Sequence, residues 1–206
     1  HLLDLNVTVL EEFYNELRTT TNYSDKTIQH HYTIISTALN KAVVWGYILN
    51  NPNEHIEKPK VKRKEIECYS PEEVDMLIKV IKNEPIKYQA LIMLALDSGA
   101  RRGELTGLTW EDIDFKESTI KINKTTQYVK EYGIFEKSTK TDTSNRLIYI
   151  SNTTLDLLRR YKKEQLQSKM RLGDKWENSN RVFTNMYGGN MHPDTPSQIL
   201  DRIIKK

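Results

Sequence analysis

The chain has 206 residues, 37% hydrophobic and 29% charged, with a formal charge of +3, a length that suits one large or two small domains. No apolar run approaches the ~20 residues of a bilayer-spanning helix and no leader pattern opens the chain, so a membrane protein is excluded and a cytoplasmic one expected. Cys68 is the single cysteine, which excludes an internal disulfide and a cysteine-built zinc site and fits a reducing compartment.

Thr8 followed by Glu11 has the form of a capping box, and Leu10, Phe13, Tyr14 and Leu17 follow at helical spacing. A longer helix is predicted from Ser24-Asp25, with Ile28, Tyr32, Ile35, Leu39, Ala42 and Val43 as its buried stripe and Gly46 and Asn50-Asn51-Pro52 punctuating its end. The opposite face holds Gln29, His30, Thr33, Thr37, Asn40 and Lys41, with no carboxylate. Such a face fits a DNA groove, and it equally fits a solvated helix surface. Residues 1–57 carry three Lys/Arg (Arg18, Lys26, Lys41) against seven acids, so the remainder holds the positive excess. Five cations then fall within the seven residues Lys58-Pro59-Lys60-Val61-Lys62-Arg63-Lys64. This strap reads either as a phosphate-tracking segment or as a solubilising linker.

A second unit opens at Ser70-Pro71-Glu72-Glu73, an N-cap followed by proline and acids. A buried helix through Leu91, Ile92, Leu94, Ala95 and Leu96 should end near Gly99. Three strands are predicted at Asp112–Phe115, Thr119–Ile122 and Arg146–Ile150, with a long polar connection between the second and third. Leu155, Leu158 and Tyr161 restore helical spacing, Gly188-Gly189 marks a turn, and Ile199, Leu200 and Ile203 predict a last helix. The fold class expected is mainly α with a small antiparallel sheet.

The run Leu96-Asp97-Ser98-Gly99-Ala100-Arg101-Arg102-Gly103-Glu104-Leu105, continued by Trp110-Glu111-Asp112-Ile113-Asp114, resembles the first signature box of the tyrosine recombinases, the phage integrase family. In that resemblance Arg101 takes the place of the first catalytic arginine and Glu104 that of the glutamate bracing its turn, with Arg102 a neighbour. Lys137-Ser138-Thr139-Lys140-Thr141-Asp142-Thr143-Ser144-Asn145-Arg146-Leu147-Ile148 resembles the family's lysine segment and puts the catalytic lysine at Lys140. Arg146 there is structural or a backbone-phosphate contact. The first unit, with Lys41-Ala42-Val43-Val44-Trp45-Gly46 and Asn51-Pro52, looks like the family's core-binding domain.

The resemblance implies a helical core-binding domain over 1–57, a basic linker over 58–68 and the front of an α+β catalytic domain over 69–206. Its implied partner is double-stranded DNA at recombination sites, contacted by Gln29, His30, Thr33, Thr37, Lys41, Lys60, Lys62, Arg63, Lys64 and Arg146. A homo-tetramer on DNA and a free monomer are also implied, with a bacterial or phage-encoded origin. Neither metal nor other cofactor is expected, since the acids and histidines show no metal-ligand spacing. The family's later His-x-x-Arg box and nucleophilic tyrosine have no counterpart here: Thr195 stands three residues after His192, and Tyr128, Tyr132, Tyr149 and Tyr187 read as core, turn or DNA-facing aromatics. The expectation is a fragment that binds DNA and holds half an active site without cutting. A non-catalytic DNA-binding regulator of the same fold, and a helical protein-interaction module, are the competing readings.

Overall fold

The structure, a computed structural model, describes residues 2–61, 68–138 and 145–205. It separates into two compact units, residues 1–67 and 68–206.

The first unit is an antiparallel pair of helices, α1 (Val7–Thr19) and α2 (Asp25–Val44), closed by a short 3-10 turn at Pro52–His55. The cap of α1 differs from the Thr8 capping box expected. Asn6 is the N-cap, and its side-chain oxygen accepts from the Val9 amide at 3.0 Å. Thr8 is already inside the first turn, where its hydroxyl cannot reach back to the N-terminal amides. Ser24 caps α2 by accepting from the Thr27 amide. Leu10, Tyr14 and Leu17 pack on Ile28 and Leu39, with Tyr32 and Ile35 partly buried beside them.

The polar turn after α2 is more than punctuation. Asn53 is fully buried, its side chain accepting from the Tyr14 hydroxyl at 2.8 Å and donating to the Tyr32 carbonyl at 3.3 Å. The Tyr32 hydroxyl donates to the Asn53 carbonyl, and Asn51 donates to the Asn40 side chain at 2.7 Å. Burial pushes the Tyr14 hydroxyl up to about 12, so it stays a donor throughout the ordinary pH range. Asn53→Leu should strand that hydroxyl and cost about 1–3 kcal/mol. Urea unfolding of the first unit would measure it, and an unchanged midpoint would contradict the lock.

The second unit opens with α3 (Pro71–Ile81), whose capping box joins Ser70 and Glu73 reciprocally. Then come α4 (Ile86–Ser98) and the single-turn α5 (Arg102–Gly107). Gly99 ends α4 in the left-handed region, φ +58°, which explains the glycine there. Strands β1 (Ile113–Asp114), β2 (Thr119–Ile122), β3 (Lys124–Val129), β4 (Gly133–Ser138) and β5 (Arg146–Tyr149) follow, then α6 (Asn152–Leu172) and α7 (Thr195–Ile204). The strands β1, β2 and β5 form one antiparallel sheet, with Ile120 opposite Ile148. Its buried face and α4 enclose a core of Leu91, Leu94, Ile120, Leu155, Leu158 and Phe183.

Two details depart from the expected strands. Trp110–Asp112 is a 3-10 turn capped by the Asp112 carboxylate, which shortens the first strand to two residues. The long polar connection contains a second antiparallel ladder, β3 with β4, in register from Lys124–Ser138 to Val129–Gly133. Its sequence, Lys-Thr-Thr-Gln-Tyr-Val, buries Thr126 where a strand usually buries an aliphatic residue, so polarity concealed it. Thr126 Oγ donates to the Gly103 carbonyl and bonds the Thr106 hydroxyl, which lashes β3 to α5. Among the described residues no helix is long and apolar enough to cross a membrane.

Candidate active site

At the N-terminus of α5 a buried carboxylate gathers two guanidinium groups. Glu104 is only 4% exposed. Its Oε2 accepts from the Arg101 backbone amide at 2.8 Å and from Arg146 Nη2 at 2.7 Å. Its Oε1 accepts from Arg101 Nη1 at 3.1 Å and Arg146 Nη1 at 3.2 Å. Arg146 reaches the site from β5 and is 31% exposed, while the Arg101 side chain is 79% exposed. Burial alone would push the Glu104 carboxyl up, but hydrogen bonds from Arg146 and Arg101 outweigh it and hold the group below its ordinary value. Glu104 in turn raises the Arg146 guanidinium. Two cations on one carboxylate leave a net positive charge, presented to solvent on Arg101.

Arg102 points elsewhere. It pairs with Asp194 at 2.6 Å, at the N-terminus of α7. Asp194 also donates its amide to His192 Nδ1 at 3.2 Å, and the His192 ring lies 4.6 Å from that of Tyr128 on β3. The adjacent arginines therefore separate: one is compensated by a carboxylate of its own, and the other shares Glu104 and stays open.

Residues outside the sequence expectation hold α5 in place. A Cβ on Gly103 would come within 2.5 Å of Thr125 Oγ and 2.7 Å of the Thr126 carbonyl, so only glycine lets β3 approach this closely. Gly107 faces the same strand one turn later, and this four-residue glycine spacing is the signal the sequence offered for the contact. Arg181, buried, donates to the Gly107 carbonyl and pairs with Glu136 of β4 at 2.5 Å. Lys124 of β3 pairs with Asp112 at 2.8 Å and donates to Thr109 Oγ. Burial would raise Asp112, yet the bonds from Lys124 and Thr109 keep it low. Both ends of α5 are thus tied to the hairpin. Lys140 lies outside the described residues, on the chain between Ser138 of β4 and Asn145 before β5.

In the first unit, His30, Thr33, Thr37 and Lys41 are exposed on one side of α2. Thr33 and Thr37 spend their hydroxyl protons on the helix carbonyls of Gln29 and Thr33. Gln29 is half-buried and donates to the Pro59 carbonyl at 2.8 Å, so it anchors the start of the strap. Lys60 pairs with Glu57 at 2.6 Å on an exposed surface. Lys62, Arg63 and Lys64 lie outside the described residues. Among those described, no group of acids, histidines and cysteine could hold a metal ion.

Residues 68–206 match the phage integrase family and residues 1–59 the phage integrase SAM-like domain. The chain is 28% identical over 214 residues to a "Tyrosine recombinase XerC-like" protein of Caldanaerobacter subterraneus subsp. tengcongensis, covering 96% of this chain and 54% of that one. It is 28% identical over 188 residues to the ICEBs1 integrase of Bacillus subtilis, covering 90% and 49%. The chain therefore spans about half the length of these curated relatives. The fold is shared with the Tn1549 transposon integrase in complex with a circular intermediate DNA, at TM-score 0.78, 18% identity and 98% of this chain against 64% of that one. A lambda integrase tetramer bound to a Holliday junction matches at TM-score 0.61 and 15% identity, covering 98% and 53%. With the family match running over the whole second unit, this chain belongs to the phage integrase family of tyrosine recombinases.

Proposed function

We propose that this chain supplies the DNA-binding unit and the front half of the catalytic unit of a site-specific recombinase of a mobile element. The observation that carries the reading is the Glu104 pedestal: it steadies Arg101 from beneath by backbone and side chain while leaving the guanidinium open to solvent. In the reaction, a tyrosine hydroxyl attacks a DNA phosphodiester and the 5′ oxygen departs, leaving a phosphotyrosine link. Negative charge builds on the non-bridging oxygens in the transition state. The Arg101 fork is placed to take two of those oxygens, as a point-charge lysine cannot. Lys140 is the group we assign to protonate the departing 5′ oxygen. Arg146 acts as a positioning residue through Glu104, and a backbone-phosphate contact is compatible with its partial exposure. The nucleophile is a role we assign to no tyrosine of these 206 residues.

In this proposal the partner is duplex DNA, held by His30, Thr33, Thr37 and Lys41 on α2, with Gln29 anchoring the strap, and by Lys60, Lys62, Arg63 and Lys64 along the backbone. The lambda integrase tetramer supports a tetrameric assembly on DNA. Two experiments test the proposal. Neutralising the four strap cations should weaken duplex binding across sequences and flatten its salt slope by up to ~0.9 for each phosphate left without its cation. An unchanged slope would return the strap to being a linker. Protein expressed from the whole gene should form a covalent tyrosine–DNA adduct on a nicked site. Duplex binding without any adduct would instead favour a non-catalytic DNA-binding regulator.

A further inference from the structure

Past the C-terminal end of α5 from Arg101 lies a groove of about 780 Å³ that the proposed strand-exchange chemistry does not use. It runs along one face of α6, lined by Arg159, Lys162, Lys163, Leu166 and Lys169. From Arg159 to Lys169 the helix rises roughly 15 Å. Aromatic rings line it. Trp110 and Phe115 stack with planes 22° apart. Trp176 also lines it, its ring resting on the backbone of Gly188: a Cβ there would come within 2.3 Å of it.

The cations are already arranged about those rings. Lys162 Nζ stands 4.9 Å from the Trp110 centroid and 5.5 Å from that of Phe115, and the Arg159 guanidinium is 5.5 Å from Phe115. Trp110 is held in place by donating Nε1 to Gln165 at 2.7 Å, and Gln165 is fixed by the Val182 carbonyl at 3.0 Å. Two of the nearby carboxylates are committed, while Glu164, Asp174 and Glu177 stand on the same segments. Asp156 pairs with Arg159 at 2.7 Å, and Glu111 accepts from Asn180 at 2.8 Å. Of the six Lys/Arg along α6, Arg159, Lys162, Lys163 and Lys169 line the groove, so its rim is positive.

Aromatic rings beside two adjacent ammonium groups and a third about two turns further along α6 suit a ligand that combines flat rings with negative charges. An unpaired nucleic-acid strand has that chemistry; a duplex hides its ring faces. An acidic peptide would satisfy the lysines but make no use of the aromatic rings beside them. We propose that this groove is a single-strand site, with bases stacking on Trp110 and Trp176 and phosphates held by Lys162, Lys163 and Lys169. It is separate from the proposed duplex surface and does not depend on it.

The test uses the 206-residue chain and a fluorescein-labelled oligothymidylate of about twelve nucleotides, titrated by anisotropy at several salt concentrations. Wild type should bind. A Lys162→Gln, Lys163→Gln, Lys169→Gln variant should bind about ten-fold or more weakly, with a salt slope flatter by about 2. Those lysines are exposed, so the variant should fold normally. In a Trp45→Phe background the remaining tryptophans are Trp110 and Trp176, and the oligonucleotide should quench their fluorescence. Absent binding, equal binding by the triple variant, absent quenching, or displacement by polyglutamate as effective as by unlabelled oligothymidylate would overturn the proposal; the last would mark an acidic-peptide surface. Failure of the recombinase reading would show separately, as absent duplex binding in parallel titrations or as no tyrosine–DNA adduct from the whole-gene protein.

Discussion

Replacing Arg101 by alanine is expected to slow strand cleavage by the whole-gene protein about 10²–10³-fold, on the order of 2.7–4 kcal/mol, while duplex affinity stays close to wild type. The guanidinium is open to solvent and rests on a carboxylate already neutralised by Arg146, so its removal costs the fold little. What disappears is a bidentate donor aimed at charge that develops only in the transition state, where interactions count most towards rate. Arg101→Lys keeps the charge but loses the fork, and should recover only a small part of the rate. Arg102→Ala should be much milder, because that side chain is already paired with Asp194. Single-turnover adduct formation measures all three. Cleavage retained in Arg101→Ala, or lost more fully in Arg102→Ala, would transfer the role or abolish it.

Glu104→Gln should be the most damaging single change to stability in the second unit, at about 3–5 kcal/mol. It removes a charge 4% exposed and turns an amide group towards four N–H donors that need acceptors. The loss should depend on pH with a definite sign. The folded carboxyl lies below its ordinary value of 4.5, so its stabilisation is complete above that value and fades as pH falls through the folded one. Asp112, also lowered from its ordinary value of 3.8, adds to the same acid sensitivity. Urea midpoints of wild type and Glu104→Gln should therefore differ most near neutrality and converge in acid. A gap independent of pH would mean that shape, and not the ionised carboxylate, explains the loss.

A good deal of this architecture was legible in one dimension because its causes are local. The Ser24 and Ser70 caps, the Gly99 stop and the strands at Thr119–Ile122 and Arg146–Tyr149 depend on neighbours within a few residues. The Thr8–Glu11 pattern misled, because Asn6, two residues earlier, is the residue that caps α1. The β3–β4 hairpin was missed because its inward residue is a threonine bonded to α5, a partner twenty residues back in sequence.

The candidate site divides in the same way. By itself the sequence carried the family boxes, and the resemblance of those boxes named Arg101, Glu104 and Lys140 as candidates. Only the tertiary structure decided what each neighbour does. Arg146 meets Glu104 across forty-two residues, and Arg102 pairs with Asp194. The groove against α6 gathers Trp110, Trp176 and the lysines from three separate segments. Charge compensation and ring packing are set by distance in space, and folding brings together groups whose separation along the chain carries no sign of it.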